Sequence, residues 1–371
     1  MLYRPPAPLA WPALAGPLAA ADDAVSRLDE RLRASPIRAG WIARTHFLDA
    51  CASAWIDGAL VHLEDLVLHD ASRDIRAPTH ELIRGHAVLR ARRRILAEAP
   101  DWALSPAGLA ALIGRAASRP GEGQGRIEAD EEGAAAPDVD GPGPGEAADD
   151  DPLRREYAEL DAIEARSGRL LSQWAAAPAS RDPLVYDLDW DEDGRLAAWR
   201  EAVVETRDLP ALLGAAIALN AWEEIEPLQH KAWLGRLFVG ALLRARSRTP
   251  AHLLCLNVGL RAVARDRRRA HDATTRLVAV LEAFAQAAGL GMKEHDRWRL
   301  ARVQLDRRLV GRRSNSRLPA LVDLVIARPI VSAGMIAKEL KVTPRAAQDL
   351  VGELNLREMT GRGRYRAWGI L

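Results

Sequence analysis

The chain has 371 residues, of which 48% are hydrophobic and 28% are charged, a composition typical of a soluble globular protein with two or three domains. It contains no run of about eighteen apolar residues, which excludes a membrane-spanning helix of ordinary length. Its two cysteines, Cys51 and Cys255, have neither the spacing of metal ligands nor that of a disulfide framework, so we expect a protein of the reducing cytoplasm.

Alanine, leucine and arginine dominate the sequence and β-branched runs are few, so we predict a mainly α fold. Residues 1–20 are rich in proline and are expected to lie extended over the surface. Apolar residues at helical spacing predict an N-terminal helical segment over residues 21–118 and a helical core over residues 153–310. The core is expected to end in two separate helices, Arg276–Ala288 and His295–Leu309.

The segment between these two helical parts, residues 119–152, has a different composition. It is rich in Gly, Pro, Ala, Asp and Glu and almost empty of large apolar residues. Such a segment cannot bury enough apolar surface to offset the entropy of ordering it. We therefore predict a disordered acidic linker, and we expect the halves on either side of it to fold independently. Binding of the linker to a basic surface, such as the wing of its own chain, is the less favoured alternative.

Residues 311–371 carry the clearest pattern in the chain, that of a winged helix-turn-helix domain. Pro319 is suited to the first turn of a helix, Ser332 to the N-cap of a second helix and Thr343 to the N-cap of a third. A short turn separates the second and third helices, which is the spacing of a helix-turn-helix unit with the third helix as recognition helix. Two short strands joined by a basic, glycine-containing turn would follow as the wing.

Positive charge is concentrated at this end of the chain. Residues 301–371 contain fourteen Lys or Arg against six Asp or Glu, whereas the whole chain has a net charge of only +1. Such a local excess is expected where a protein contacts nucleic-acid phosphates. Arg345 is suited to pair with guanine and Gln348 with adenine in the major groove, and the arginines of the wing are expected to meet phosphate or the minor groove. The residues predicted to contact DNA are Thr343, Arg345, Gln348, Arg362, Arg364 and Arg366.

The sequence lacks a nucleotide P-loop, a Rossmann glycine fingerprint, a zinc motif and a nucleophile elbow. Its nine histidines are dispersed. Neither of the two closely spaced pairs, His62 with His69 and His80 with His86, has a third ligand at a useful spacing. We therefore expect no metal site and no cofactor.

Two segments resemble the Fic family. The run from Ser53 to Gly58, S-A-W-I-D-G, resembles the N-terminal Fic segment in which a Ser-x-x-x-Glu-Gly helix blocks the nucleotide site, with Asp57 in place of the family's Glu. The run Ile225–Leu237 is similar to the Fic core motif I-H-P-F-x-D-G-N-G-R-x-G-R-L with one residue missing. The resemblance implies a Fic-like helical bundle in two segments, followed by a C-terminal winged helix-turn-helix.

The departures from the Fic motif concern its chemistry. The motif histidine, which is the general base in Fic enzymes, is replaced by Glu226, and the acidic metal ligand is replaced by His230. Trp233 stands in the turn that cradles phosphates and would obstruct it. The resemblance therefore implies a degenerate active site, in which Glu226, His230 and Arg236 would carry any remaining activity. The layout also looks like that of an uncharacterised bacterial family.

The leading hypothesis is a DNA-binding protein, a transcriptional or plasmid-associated regulator with a catalytically inactive Fic-like domain and double-stranded DNA as its partner. Two alternatives stay open, a diverged Fic-type nucleotidyl (AMP) transferase and a protein-docking module without catalysis. A second copy of the chain, another protein and a small-molecule ligand are further candidate partners of the helical part. No membrane partner is expected.

Overall fold

The computed structural model of the chain describes residues 3, 6–73, 77–115, 187, 190–311, 316–360 and 366–370. Fourteen helices and one small sheet make up most of this part of the chain, so the prediction of a mainly α protein is confirmed. The predicted linker, 119–152, and residues 153–186 of the predicted core lie outside the described residues.

Eleven of the described helices precede the C-terminal domain, and a short 3-10 turn, Trp102–Leu104, lies between the fourth and the fifth. These helices are α1 Trp11–Arg33, α2 Arg38–Ile56, α3 Leu63–Asp70, α4 His80–Ala97, α5 Pro106–Ile113, α6 Glu192–Glu205, α7 Ala211–Ile225, α8 Leu234–Ala245, α9 Leu256–Ala262, α10 Arg265–Arg268 and α11 Ala273–Leu309. The C-terminal domain comprises α12 Leu318–Ala327, β1 Val331–Ser332, α13 Ala333–Leu340, α14 Pro344–Glu353, β2 Arg357–Glu358 and β3 Ala367–Gly369.

The helices on the two sides of the predicted linker are packed together. Both α1 and α9 lie along the 37-residue helix α11, so Leu28 and Phe284 share one apolar cluster, and Phe47 and Phe238 share another. Residues 1–113 and 187–371 form one compact unit. The expectation that the two halves fold independently is therefore wrong, because each cluster draws its side chains from both halves.

The proline-rich start of the chain is helical from Trp11, which corrects the prediction of an extended segment over residues 1–20. Pro12 lies in the first turn of α1, where its missing N–H leaves no hydrogen bond unmade. Pro17 lies inside the helix and removes one hydrogen bond there. Leu14, between the two prolines, is fully buried. Burial of this apolar face against the other helices stabilises α1 despite the interior proline.

Helix α11 is continuous where the sequence predicted two helices. Gly291, which lies between the two predicted helices, is inside α11 and faces α1 and α2. A Cβ at this position would come within 2.9 Å of Leu28 Cδ2, and the Gly291 carbonyl accepts a hydrogen bond from the Trp41 indole N–H at 3.1 Å. The glycine therefore permits a close approach of three helices and does not end one of them.

A buried carboxylate joins α2, α4 and α9. Asp49 is fully buried, and its Oδ2 atom accepts hydrogen bonds from Arg92 Nη1 at 2.5 Å and from Asn257 Nδ2 at 2.7 Å. Its other oxygen accepts the backbone N–H of Val258 at 3.1 Å, one of the N–H groups that have no partner within α9 itself. Both charges of the buried pair are thus hydrogen-bonded, which is the condition for burying them.

The C-terminal domain packs directly on the eleven described helices that precede it, α1–α11, which are called the helical body below. Helix α12 lies against α2 and α11. Gly40 on α2 faces Ile326 on α12, and a Cβ at this glycine would come within 2.5 Å of Ile326 Cγ2. The missing side chain therefore lets the two helices approach closely. Val322 and Val325 of α12 are fully buried and extend the apolar cluster of the body into the domain.

A buried arginine on α2 caps the C-terminal end of α12. The guanidinium of Arg44, which is 4% exposed, donates hydrogen bonds to the backbone carbonyls of Val325 (2.8 Å), Ile326 (3.3 Å), Arg328 (2.8 Å) and Pro329 (3.2 Å). The last carbonyls of a helix have no partner inside it, and Arg44 supplies one. Its guanidinium also lies 3.7 Å from the ring centroid of Trp298 on α11. Burial lowers the pKa of Arg44 to about 9, which leaves it charged at neutral pH.

Replacing this arginine should weaken the attachment of the C-terminal domain. In Arg44→Met several carbonyl oxygens at the end of α12 stay buried without a donor, and an unsatisfied buried acceptor costs roughly 1–3 kcal/mol. We expect the free energy of unfolding, measured by urea titration, to fall by roughly 3 kcal/mol or more. Arg90→Met, at an exposed position of α4, should change it by less than about 0.5 kcal/mol. Equal unfolding free energies for the two variants would contradict the capping role.

Candidate nucleic-acid interface

The helix-turn-helix unit is formed by α13 and α14, at the caps that the sequence indicates. Ser332 Oγ accepts the backbone N–H of Met335 at 3.3 Å and caps α13. Thr343 Oγ1 accepts the backbone N–H of Ala346 at 3.2 Å and caps α14. Between the helices Lys341 adopts a left-handed conformation with φ of 54°, which ends α13 and turns the chain toward α14. The side chain of Thr343, predicted to contact DNA, is therefore engaged in capping the recognition helix.

The wing is built on a three-stranded antiparallel sheet with the strand order β1-β3-β2. β2 and β3 lie where the sequence predicts the wing strands, with Glu358 opposite Trp368. β1 was not predicted, because two residues before a helix carry no strand periodicity; it pairs Val331 with Trp368. Residues 361–365 of the wing turn, including Arg362 and Arg364, lie outside the described residues.

The outer face of α14 presents polar side chains to solvent. Arg345, Gln348 and Asp349 are exposed, whereas Ala347 and Val351 are buried against the domain. No hydrogen bond or ion pair joins Arg345 or Gln348 to any residue that the structure describes. This is the arrangement predicted for base-reading side chains, since both can reach the edges of bases in a major groove.

Arg366, which is also predicted to contact DNA, has partners within the wing. Its guanidinium forms an ion pair with Glu358 across the hairpin, with Nη2 2.7 Å from Oε2, and it lies 5.6 Å from the ring centroid of Trp368. Opposite charges facing each other on neighbouring strands stabilise the pairing of β2 with β3. The structure therefore gives Arg366 a role in the wing itself.

A second cluster of predicted site residues lies inside the helical body. Arg236 on α8 is 8% exposed, and its Nη2 atom donates to Ser53 Oγ at 2.9 Å and to Asp57 Oδ1 at 2.8 Å. Gly58 follows directly, in a left-handed conformation with φ of 82°. Arg236 Nε donates to Asn257 Oδ1 at 2.7 Å, which connects the cluster to Asp49. Asn257 was not predicted as a site residue, although a polar residue within an apolar helical run is a signal of a buried hydrogen bond.

The other residues of the Fic-like motif lie around the turn between α7 and α8. Glu226 is exposed and ends α7 in a left-handed conformation with φ of 47°. His230 is exposed in the following turn, and Lys231 Nζ donates to the Ile113 carbonyl at 2.5 Å. Trp233 is buried beside Ala54 at a small cavity, so an indole occupies the end of this turn. Within the described residues, no group of three or more His, Cys, Asp or Glu side chains is placed to hold a metal ion.

Comparisons with known proteins identify a DNA-binding domain in the same residues that form the helix-turn-helix unit. A family model described as an HTH DNA binding domain matches residues 318–371, and one described as a protein of unknown function (DUF1612) matches residues 184–310. The uncharacterized protein y4cF of Sinorhizobium fredii (strain NBRC 101917 / NGR234) is 51% identical over 360 residues, which cover 93% of this chain and 94% of that protein. This chain belongs to the y4cF family.

The helix-turn-helix DNA-binding domain predicted at the C-terminus is thereby confirmed. The DUF1612 match begins just before α6 and ends just after α11, so in this chain it leads directly into the DNA-binding domain. The resemblance to Fic proteins stays a prediction. No helix among the described residues is long and apolar enough to span a membrane.

A carboxylate at the end of α3 forms a second connection between the body and the DNA-binding domain. Asp70 receives a bidentate contact from Arg93, at 2.6 and 3.0 Å, and lies 2.7 Å from Arg328 Nη1, just after α12. His86 Nε2 lies 3.3 Å from the same carboxylate. Burial by itself would raise the pKa of Asp70, but the hydrogen bonds from His86 and Arg93 and the charges of both arginines outweigh it and lower this pKa.

The lowered pKa predicts how the stability of this connection depends on pH. A carboxyl group whose pKa is lower in the folded than in the unfolded protein stabilises the fold above its unfolded pKa, about 4, and loses that contribution as the pH falls. Asp70→Asn should therefore reduce the free energy of unfolding at pH 7 by roughly 1–3 kcal/mol, and this difference should shrink as the pH falls below about 4.

The measurement is urea unfolding of both proteins at a series of pH values. Asp101→Asn, which changes an exposed aspartate next to the 3-10 turn, serves as the matched control and should have little effect at any pH. A difference between wild type and Asp70→Asn that stays constant from pH 7 to pH 3 would contradict this assignment.

Proposed function

We propose that this member of the y4cF family is a regulator that binds double-stranded DNA, acting as a transcriptional or plasmid-associated factor. One observation carries the proposal. Within the residues that match an HTH DNA binding domain, Arg345 and Gln348 are exposed on the second helix of the pair. Neither side chain has a partner among the described residues. In this helix-turn-helix arrangement the second helix enters the major groove. Arginine pairs there with guanine and glutamine with adenine.

The charges around the recognition helix support DNA as the partner. Lys338, Lys341 and Arg357 are exposed in the elements next to α14 and are suited to contact phosphates. Asp349 is exposed on α14 itself, where a carboxylate repels phosphate but accepts a hydrogen bond from the cytosine amine. This mixture of charges favours sequence-specific binding over nonspecific binding to the phosphate backbone.

For the helical body we propose a Fic-like scaffold without transfer chemistry. The contact of Arg236 with Ser53 and Asp57 supports the scaffold, because the N-terminal and core segments that resemble Fic proteins meet there. The loss of chemistry is supported by Glu226, which replaces the motif histidine, and by Trp233, which is buried at the turn that would hold phosphates. In this proposal the helical body positions the DNA-binding domain. It is also the part that would bind a second copy of the chain or another ligand.

The DNA-binding proposal is tested by selecting preferred duplexes with the full-length chain and measuring affinities by fluorescence anisotropy. Arg345→Ala or Gln348→Ala should lower the preference for the selected sequence by roughly 1–3 kcal/mol per lost base contact. Arg265→Ala changes an exposed arginine of α10 and should leave the affinity unchanged. If the wild-type chain binds no duplex even at low salt, the domain serves as a docking module and the proposal fails.

The proposed absence of transfer chemistry has a separate test with labelled ATP and Mg²⁺. The unmodified chain should transfer no AMP to itself or to added protein, because it lacks the motif base. Glu226→His alone should not restore transfer, because Trp233 still occupies the turn. Transfer of AMP by the unmodified chain would contradict the proposal and favour the diverged transferase.

A further inference from the structure

A basic side chain of the helical body lies on the helix-turn-helix unit. Arg73 follows α3 in sequence, far from the residues that match the DNA-binding domain. Its guanidinium nevertheless lies over the first turn of α13, with Cζ 3.5 Å from the position that a Cβ would take at Gly334. Since glycine has no side chain, the guanidinium can rest on the helix backbone there.

The backbone at Arg73 is held in place by the end of α3. The N–H of Ala71 donates to the Val67 carbonyl at 3.2 Å, and the N–H of Arg73 donates to the Leu68 carbonyl at 2.9 Å. Between them Ser72 adopts a left-handed conformation with φ of 55°, which reverses the chain. Because α3 is itself anchored by buried apolar side chains, the turn presents Arg73 from a fixed position.

The guanidinium lies on the surface and is available to a ligand. Arg73 is exposed, and no hydrogen bond or ion pair joins its side chain to a residue that the structure describes. Asp70, three residues earlier, is 7% exposed and is already paired with Arg93 and Arg328. The Asp70 carboxylate therefore forms no ion pair with Arg73.

A second basic residue lies on the same face of α13. Gly334 and Lys338 are four residues apart, so they lie one above the other on the helix. The side chain of Lys338 is exposed and, like side chains on helices generally, leans toward the N-terminus, which here is the end where Arg73 lies. Arg73 and Lys338 thus form a short basic strip along the first helix of the pair. In helix-turn-helix complexes this first helix crosses the DNA backbone.

We propose that Arg73 contacts a DNA phosphate, so that the helical body extends the interface beyond the helix-turn-helix domain. The inference rests on the proposed DNA-binding function. The contact is electrostatic and carries no sequence information, because phosphates are the same at every base pair. Arg73 would thereby contribute to affinity and to the register of the body along the duplex.

The experiment compares full-length wild type, Arg73→Ala and Arg73→Lys by fluorescence anisotropy on the selected duplex and on an unrelated one, at several salt concentrations. For Arg73→Ala the slope of log K against log salt should decrease by roughly 0.9, the value for one phosphate contact on duplex DNA. The affinity for both duplexes at low salt should fall roughly two- to fivefold, as expected of one exposed ion pair. Arg73→Lys keeps the charge and should retain most of the slope.

Arg265→Ala is the matched control. Its neighbour Arg267 pairs with Glu282 of α11, whereas the DNA-binding domain contacts the same helix at Arg302 and Arg308. Twenty residues of helix span about 30 Å, so Arg265 lies far from the proposed interface. Removal of this charge, which is also exposed, should leave the salt slope unchanged.

The outcomes separate this inference from the function on which it rests. If neither the wild type nor any variant binds duplex DNA, the proposed function fails. If the wild type binds and Arg73→Ala keeps both its affinity and its salt slope, only the role of Arg73 is overturned. Thermal unfolding of Arg73→Ala should match wild type; a weakened fold combined with an unchanged salt slope would identify Arg73 as a packing residue and also overturn the inference.

Discussion

The buried guanidinium of Arg44 holds the DNA-binding domain on the helical body. It satisfies the carbonyls at the end of α12 and lies on Trp298 of α11, so one side chain connects three helices. Without it the end of α12 would be buried with unpaired acceptors, which native structures avoid. The close contact at Gly40 and the ion pair of Asp70 with Arg328 both depend on the position of α12 that this cap fixes.

This attachment has a consequence for function. A helix-turn-helix on a flexible linker samples many orientations. Here α12 packs on α2 and α11, and α13 and α14 follow it, so the recognition helix has a set orientation on the helical body. The helical body therefore determines which of its own surfaces face a duplex bound by α14, and in the complex that we propose the turn at Arg73 is one such surface. A ligand or partner that displaced α2 would displace the DNA-binding domain with it, because packed helices transmit such shifts as rigid elements.

The parts of the fold that depend on local rules could be predicted from the sequence. The caps at Ser332 and Thr343 and the exposure of Arg345 follow from signals within a few residues. The rest depends on residues distant in sequence. Arg44 meets the Val325 carbonyl 281 positions away, and the fit of Gly291 against Leu28 keeps α11 continuous. Tertiary packing overrides local propensity at such positions, which is why the proline-rich N-terminus was predicted to be extended and α11 was predicted to be two helices.

The DNA-binding domain and the helical body belong to one compact unit and are expected to unfold cooperatively. Hydrogen–deuterium exchange of the full-length protein without DNA tests this expectation most directly, since exchange reports the free energy at which each segment opens. We expect the amides of α12, Leu318–Ala327, to be as strongly protected as those of α2, Arg38–Ile56. Exchange of α12, α13 and α14 together as a separate unit, at a clearly lower opening free energy than α2, would contradict it.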